Sequence, residues 1–152
     1  MPVQPGTPAP DFTLKTQDEK DWKLSDQRGR RVVLLWYPLD WSPTCEKENC
    51  RLGHDVPLVS DASTVVVGIS RDSTWSHKAF KQAKGIRHDL LADPMLEVTR
   101  QYGLQHPGAP FISHRATVIV DRNGQVAWVQ VQENTREERD WKAVQAALAG
   151  VK

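Results

Sequence analysis

Two cysteines in one short stretch are the residues of this chain best suited to covalent chemistry. Cys45 and Cys50 are the only cysteines among its 152 residues. Ser42 and Pro43, just before Cys45, are typical of a helix N-cap followed by proline at the first helical position. In a first helical turn, unpaired backbone N–H groups and the helix dipole stabilise a thiolate. The pattern predicts that Cys45 is a nucleophile; the alternative is a buried structural cysteine, which is common for this residue type.

An apolar run before this segment predicts the strand that delivers the cysteine. Residues 31–37 are almost all apolar, which is typical of a central strand buried on both faces. Pro38 ends the strand, because proline has no N–H to donate to a β-ladder. Residues 64–70 form a second β-branched run and predict a second buried strand.

The remaining patterns predict four helices and two hairpins. Helices are expected from Cys45 to near Asp55, from Trp75 to Lys84, from Asp93 to Gly103, and in a last segment that Thr135 and Glu138 open as a capping box. Hairpins are expected over residues 12–24 and 115–131. Strands that alternate with helices predict an α/β fold, in which one domain of residues 1–152 has a mixed central sheet flanked by helices.

Three segments of the chain resemble the peroxiredoxin family. Pro38, Ser42 and Cys45 match its active-site pattern, Pro-x3-Thr/Ser-x2-Cys. Residues 6–14 are similar to the opening segment of the family. Arg115, which precedes an apolar strand, matches the arginine that peroxiredoxins place over the peroxidatic cysteine. The resemblance implies a thioredoxin-like fold with an N-terminal hairpin extension.

The same resemblance implies roles for five residues. Cys45 is expected to be the peroxidatic nucleophile, which Pro38 shields from water. The Ser42 hydroxyl is expected to accept a hydrogen bond from a peroxide oxygen while it donates to the Cys45 sulfur, and Arg115 is expected to supply a fixed positive charge. Glu48 matches a position that orients this arginine in many peroxiredoxins. Without the resemblance, an arginine at a strand start and a helical glutamate are more often solvated surface residues.

Cys50 has two possible roles. In the subgroup that resembles bacterioferritin comigratory protein, a cysteine at this spacing resolves the sulfenic acid by forming an intramolecular disulfide. The resemblance therefore implies that Cys50 is the resolving cysteine. If Cys50 is inert, the protein is of the one-cysteine type, which uses an external thiol.

The implied function is a thiol-dependent peroxidase that reduces hydrogen peroxide or organic hydroperoxides without a cofactor. A thioredoxin- or glutaredoxin-like protein is expected to be the reductant, and the chain to be a monomer or homodimer. Two alternatives on the same fold are a redox sensor and a thiol–disulfide oxidoreductase. The absence of a Cys-x-x-Cys motif argues against the oxidoreductase.

The composition limits which binding partners and which cellular location are expected. Twenty basic and nineteen acidic residues leave a formal net charge of +1, which predicts neither a nucleic-acid nor an anionic membrane partner. No apolar run is long enough to span a membrane, and residues 1–6 do not resemble a signal peptide, so a cytoplasmic protein is expected. Cys45, Cys50 and His54 could offer zinc only three ligands, so no metal is expected.

Overall fold

A seven-stranded mixed sheet forms the centre of this computed structural model, which describes residues 1–152. The strands are β1 (Thr13–Thr16), β2 (Asp21–Lys23), β3 (Arg31–Trp36), β4 (Thr64–Ser70), β5 (Asp89–Ala92), β6 (Arg115–Val120) and β7 (Val126–Gln132). Their order across the sheet is β2-β1-β5-β4-β3-β6-β7. The β3–β4 and β4–β5 pairs are parallel, and the others are antiparallel. The predicted mixed sheet and its N-terminal hairpin are confirmed.

Four α-helices and one short 3-10 helix connect the strands. They are α1 (Pro43–Arg51), α2 (Thr74–Lys84), α3 (Glu97–Gln101), α4 (Trp141–Ala149) and the 3-10 helix Leu24–Gln27. Gly85 closes α2 in the left-handed conformation, with φ of 62°, as a C-terminal glycine does. No helix combines the length and the apolar character needed to cross a membrane.

Alternate residues of β3 contribute to two separate apolar cores, one on each face of the sheet. Val32 and Leu34 belong to a core that includes residues of the β1–β2 hairpin and of α3. Val33 and Leu35 belong to a core that includes residues of α4. A smaller cluster joins Cys45 of α1 to α2. Helices therefore cover both faces of the sheet, and β3 is buried on both sides as predicted.

The sequence predictions were wrong at β5, α3 and the end of α1. The strand β5 was not predicted, because its four residues have no alternation and pair only when β1 and β4 flank them. The helix expected from Asp93 begins only at Glu97, and the Asp93 carboxylate accepts a hydrogen bond from the backbone N–H of Thr99 at 2.8 Å. The helix that carries Cys45 ends at Arg51, earlier than expected.

The last helix begins at Trp141, and Thr135 and Glu138 do not form its capping box. Its N-cap is Asp140, whose carboxylate accepts a hydrogen bond from Ala143 N at 3.0 Å. Residues 134–139, which we call the strap, run before this helix without being part of it. The prediction failed because the strap makes tertiary contacts around Cys45, and local pattern cannot reveal them.

Candidate active site

Cys45 lies in the first turn of α1, just after the chain leaves β3. Ser42 is the N-cap and Pro43 the first helical residue, as predicted. The cysteine is fully buried and belongs to a cluster with Phe80 of α2 and Leu90 of β5. An apolar wall disfavours a thiolate, so the charge that stabilises sulfur must come from the other side.

Arg115, the first residue of β6, supplies that charge. Its Nη2 donates to Cys45 Sγ at 3.2 Å and to the backbone carbonyl of Thr135 at 2.7 Å. Its Nη1 donates to Glu48 Oε1 at 2.5 Å. The side chain is only 1% exposed, so the predicted contact between this arginine and the cysteine is present. A rigid cation thus faces sulfur from the polar side.

Charge pairing keeps this buried cluster ionised. Burial alone would raise the pKa of Glu48, but Arg139 and then Arg115 hold it below its ordinary value. Burial alone would lower the pKa of Arg115, but Glu48 and Cys45 raise it. One carboxylate therefore balances two guanidinium groups, and the second guanidinium leaves positive charge available for a thiolate.

Arg139, in the strap, is a buried residue that the sequence analysis missed. Its backbone N–H and Nε donate to Glu48 Oε2 at 2.7 and 3.1 Å. Its guanidinium also donates to the carbonyl of Trp36, at 2.8 Å, and to that of Ala116, at 2.9 Å. Trp36 and Ala116 are partners in the β3–β6 ladder. Arg139 therefore ties Glu48 to the sheet, and no local pattern marked it.

The strap also holds the outer side of α1. Thr44 Oγ1 donates to the carbonyl of Arg136 at 2.9 Å. The Glu138 carboxylate pairs with Lys47 at 3.2 Å and with Arg51 at 3.0 Å. Since these two cations lie one turn apart on α1, a single carboxylate contacts the C-terminal half of the helix.

A cavity of about 230 Å³ opens at the polar side of the cysteine. Its lining residues are Pro38, Ser42, Pro43, Thr44, Arg115, Thr135 and Arg136. Ser42 Oγ donates to the carbonyl of Leu39 at 3.2 Å and not to Cys45 Sγ, so that part of the prediction was wrong. Ser42 occupies the N-cap position, but its side chain makes no capping hydrogen bond. The hydroxyl oxygen therefore keeps a lone pair that can accept a hydrogen bond from a ligand in the cavity.

Cys50 lies in the last turns of α1 and is partly buried. Its Sγ is 3.9 Å from the carbonyl oxygen of Lys84, and the two cysteines of the chain are not bonded to each other. Burial and the nearby Glu46 carboxylate raise the pKa of Cys50, although Lys84 opposes them. With α1 folded, Cys50 is therefore a poor nucleophile at neutral pH.

The structure has one group of side chains close enough to hold a metal ion, formed by Asp40, Asp72 and His77. It does not include the cysteines that the sequence analysis considered as zinc ligands. The His77 ring pairs with the Asp40 carboxylate, and the Asp72 carboxylate accepts from the backbone N–H of Asp40 and from the Ser70 hydroxyl. These hydrogen bonds account for the closeness of the three residues.

Comparison with known proteins places this site in a family. Residues 5–129 match the model of the AhpC/TSA family. The putative peroxiredoxin bcp of Coxiella burnetii is 34% identical over 139 residues, which are 87% of this chain and 92% of that protein. The chain belongs to the peroxiredoxin family. A chloroplastic peroxiredoxin Q of Suaeda salsa is 38% identical over 127 residues, which are 84% of this peroxiredoxin. The aligned residues span only about three fifths (59%) of the length of that relative.

Solved structures agree with this assignment. The peroxidoxin BcpB of Mycobacterium tuberculosis has a TM-score of 0.79 and 27% identity, with coverage of 97% of this chain and 95% of that one. A peroxiredoxin-like protein of Aquifex aeolicus has a TM-score of 0.87 over 98% of this chain and 88% of that one, at 23% identity, which supports the fold alone. The thioredoxin-like fold and the peroxiredoxin resemblance read from the sequence are confirmed.

The structure brings five of the six predicted site residues of this peroxiredoxin to one place. Cys45, Arg115 and Glu48 form a contiguous buried cluster, and Pro38 and Ser42 line the adjoining cavity. The sixth predicted residue, Cys50, is on a different side of α1, against α2. Their catalytic roles remain predictions.

Proposed function

We propose that the chain is a thiol-dependent peroxidase that reduces hydrogen peroxide or an organic hydroperoxide at Cys45. The observation that supports this most directly is the 3.2 Å contact between Arg115 Nη2 and Cys45 Sγ at the edge of a polar cavity. A buried structural cysteine does not need a permanent cation at its sulfur. A nucleophilic thiolate does need one.

In the first step, the Cys45 thiolate attacks one peroxide oxygen. The S–O bond forms as the O–O bond breaks, and the leaving oxygen takes the electron pair and then a proton. Water or an alcohol leaves, and Cys45 becomes a sulfenic acid. Arg115 stabilises negative charge first on sulfur and then on the leaving oxygen, while the Ser42 hydroxyl accepts a hydrogen bond from the peroxide.

In the second step, we propose that the Cys50 thiolate attacks Sγ of the sulfenic acid. The S–S bond forms as the S–O bond breaks, and the departing hydroxide is protonated to water. Both cysteines lie in α1, where residues five apart are too distant for a disulfide, so α1 must open before the S–S bond can form. The raised pKa of Cys50 in the folded helix disfavours its thiolate as well. The alternative, in which an external thiol attacks Cys45, leaves Cys50 without a chemical role.

A dithiol protein of the thioredoxin or glutaredoxin type is proposed to reduce the disulfide in a third step. The chemistry needs a reducing compartment to regenerate the enzyme, so we propose a cytoplasmic location. We also propose that the chain acts as a monomer or homodimer, since the site described above is made by one chain alone.

Peroxide turnover by the wild type and by one variant tests this function. Wild-type protein with thioredoxin, thioredoxin reductase and NADPH should consume hydrogen peroxide, and Cys45→Ser should not, because a serine hydroxyl stays protonated. Circular dichroism of the variant checks that it is folded. A folded Cys45→Ser protein that consumes peroxide at the wild-type rate would exclude the mechanism. Reduction of insulin disulfides without peroxide turnover would favour a thiol–disulfide oxidoreductase.

A further inference from the structure

A buried charged cluster lies behind residues 38–42, which we call the peroxidatic loop. The side chain of Asp40, in this loop, is 0% exposed. Tyr37 Oη donates to Asp40 Oδ1 at 2.6 Å, and Ser76 Oγ donates to Oδ2 at 2.8 Å. His77 Nδ1, from α2, lies 2.8 Å from the same Oδ2. The mechanism above uses none of these groups, and burying them without function would be costly.

A second carboxylate extends the cluster to the end of β4. The backbone N–H of Asp40 donates to Asp72 Oδ2 at 2.8 Å, and Ser70 Oγ donates to that same oxygen at 2.5 Å. Both the backbone and the side chain of Asp40 are therefore held by elements outside the peroxidatic loop.

The hydrogen-bond partners of His77 determine its protonation state. Its Nε2 lies 3.0 Å from the carbonyl oxygen of Leu91, which can only accept, so Nε2 carries a proton. Its Nδ1 faces the Asp40 carboxylate, whose two oxygens already accept from hydroxyl groups. Burial, followed by the charge of Asp40, raises the pKa of Tyr37 well above its ordinary value, so that hydroxyl remains a donor. This pattern fits an ionised Asp40 and an imidazolium with protons on both nitrogens.

The peroxidatic loop has a backbone conformation that needs such support. Trp41 has φ of 69°, in the left-handed region that is unfavourable for a bulky residue. The carbonyl of Leu39 accepts the hydrogen bond from the Ser42 hydroxyl. The position of Asp40, between Leu39 and Trp41, therefore controls where Ser42 points into the cavity.

We propose that Asp40 is the positioning residue of the peroxidatic loop and that it acts as a buried ion pair with a doubly protonated His77. The pair fixes the turn that presents Pro38 and Ser42 to the peroxide. The inference rests on the proposed peroxidase function, because its kinetic readout is the reaction of Cys45 with peroxide.

Nuclear magnetic resonance of the histidine rings tests the ion pair. At neutral pH, His77 should show two slowly exchanging ring N–H protons. His88 is an internal control, because its Nε2 pairs with Asn49 Oδ1 at 2.8 Å while Nδ1 has no partner, so it should show one. In Asp40→Asn, whose amide can donate to Nδ1, the His77 ring should lose one N–H. A single N–H on His77 in the wild type would overturn the ion pair.

Two reactions of Cys45, measured in a Cys50→Ser background, test the positioning role. Asp40→Ala should slow the reaction with hydrogen peroxide by at least about tenfold, since small misplacements of reacting groups have large effects on rate. Alkylation by iodoacetamide, which needs no peroxide pocket, should change by less than about twofold, because Arg115 still holds the thiolate. Asp40→Asn should recover most of the peroxide rate, since it keeps the hydrogen-bonding positions.

Controls separate positioning from loss of stability. Asp26→Ala removes an exposed carboxylate of the 3-10 helix and should leave both rates unchanged. A variant that is destabilised but folded would keep both rate constants, so unchanged rates in Asp40→Ala would overturn the positioning role. An equal change in both rates would overturn it as well. If Asp40→Ala does not fold, Ser76→Ala replaces it, because this change removes the hydroxyl that donates to Asp40 Oδ2. Ser76→Ala should slow the reaction with peroxide more than the alkylation, and unchanged rates would overturn the positioning role.

The outcome for wild-type protein distinguishes this inference from the proposed function. A wild type that does not react with peroxide refutes the peroxidase, whatever the histidine spectrum shows. A wild type that reacts rapidly, together with an Asp40→Ala variant that reacts equally fast, refutes only the positioning role. Divalent cations added to the wild type should leave the His77 signals unchanged; loss of those signals would identify a metal site and overturn the ion pair.

Discussion

At the scale of single residues, the site depends on how buried charges are balanced. Arg115 and Arg139 share the Glu48 carboxylate, and all three side chains are almost fully buried. A buried charge without a partner is strongly destabilising, so each of these residues needs the others. Arg115 Nη2 brings the excess positive charge to Cys45 Sγ, and the same nitrogen donates to the Thr135 carbonyl in the strap.

Replacing Arg115 with methionine should slow the reaction with peroxide. Methionine keeps much of the side-chain volume and removes the charge that stabilises sulfur and the leaving oxygen. We expect the second-order rate constant to fall by about 10² to 10³, the range for losing one preorganised donor in an active site. Stopped-flow tryptophan fluorescence would measure it.

Arg100→Met is a matched control for this substitution, because Arg100 is an exposed arginine of α3. It should react at the wild-type rate. An Arg115→Met variant that also reacts at the wild-type rate would show that the contact with sulfur has no catalytic effect.

At the scale of secondary-structure elements, the proposed disulfide mechanism requires α1 to adopt two states. Both cysteines are helical in this structure, and residues five apart in an α-helix have Cα atoms about 8.6 Å apart. A disulfide tolerates at most about 7 Å. The disulfide between Cys45 and Cys50 therefore requires at least part of α1 to unwind.

Hydrogen exchange should reveal this unwinding. Backbone amides of residues 43–55 should exchange faster in the disulfide form than in the thiol form, because the strained helix opens. Cys50→Ser should be oxidised once by peroxide, stop at sulfenic acid and proceed to sulfinic acid with excess oxidant. Mass spectrometry distinguishes these products. Normal turnover of Cys50→Ser with thioredoxin would instead support the one-cysteine mechanism.

Ion pairs on two sides of α1 oppose its unwinding. Glu138 of the strap pairs with Lys47 and Arg51 on one side. On the other side, Lys84 of α2 pairs with Glu46. Since all of these groups are partly exposed, solvent weakens each pair, and their loss should shift the opening equilibrium without unfolding the protein.

Glu138→Gln should therefore accelerate disulfide formation and leave the first oxidation step unchanged. The expected increase is about two- to fivefold, as for a partly exposed ion pair. Fluorescence after a single addition of peroxide separates the two phases. Glu137→Gln is the control, since Glu137 is exposed and its carboxylate accepts only from Gln132. Equal rates in the two variants would contradict the role of Glu138.

At the scale of the whole molecule, His88 links global stability to the cysteine helix. It is 5% exposed, and its Nε2 lies 2.8 Å from Asn49 Oδ1. Asn49 Nδ2 in turn donates to the carbonyl of Cys45 at 2.9 Å. Burial, assisted by Lys81 and Arg139, lowers the pKa of His88 to about 3. The folded protein therefore holds this imidazole neutral at pH values where the unfolded chain protonates it.

Acidification should destabilise the protein through this histidine. Between about pH 6.5 and 3 the unfolded chain binds a proton that the folded protein does not, so stability falls as pH falls, by up to about 1.4 kcal/mol per unit. His88→Gln should lose this component, and its free energy of unfolding should depend less steeply on pH. Urea denaturation at several pH values measures the slope.

His54→Gln, which changes an exposed histidine, is the control for this prediction and should keep the wild-type slope. A His88→Gln slope equal to that of the wild type would mean that His88 is already protonated in the folded protein.

Short-range sequence patterns predicted the strands, helix ends and hairpins that depend on residues close together in the chain. The strand β3, the proline that ends it and the N-terminus of α1 all depend on residues within a few positions of one another, so their order was visible in the sequence. The same holds for the hairpin of β6 and β7. The family resemblance then assigned Arg115 and Glu48, which no periodicity distinguishes from surface residues.

Only the tertiary structure decided which distant residues complete the site. Arg139 contacts Glu48, which is 91 positions away in the sequence. His77 contacts Asp40, which is 37 positions away. The strap looked like a helix start because Thr135 and Glu138 have capping-box spacing, but Glu138 pairs with α1 and the Thr135 carbonyl accepts from Arg115. The sequence by itself determined the helix that presents Cys45, since local backbone preferences suffice for it. The charged residues around Cys45 could not be predicted in the same way. A buried charge pairs with groups that are close in the folded structure, and these groups are distant along the chain.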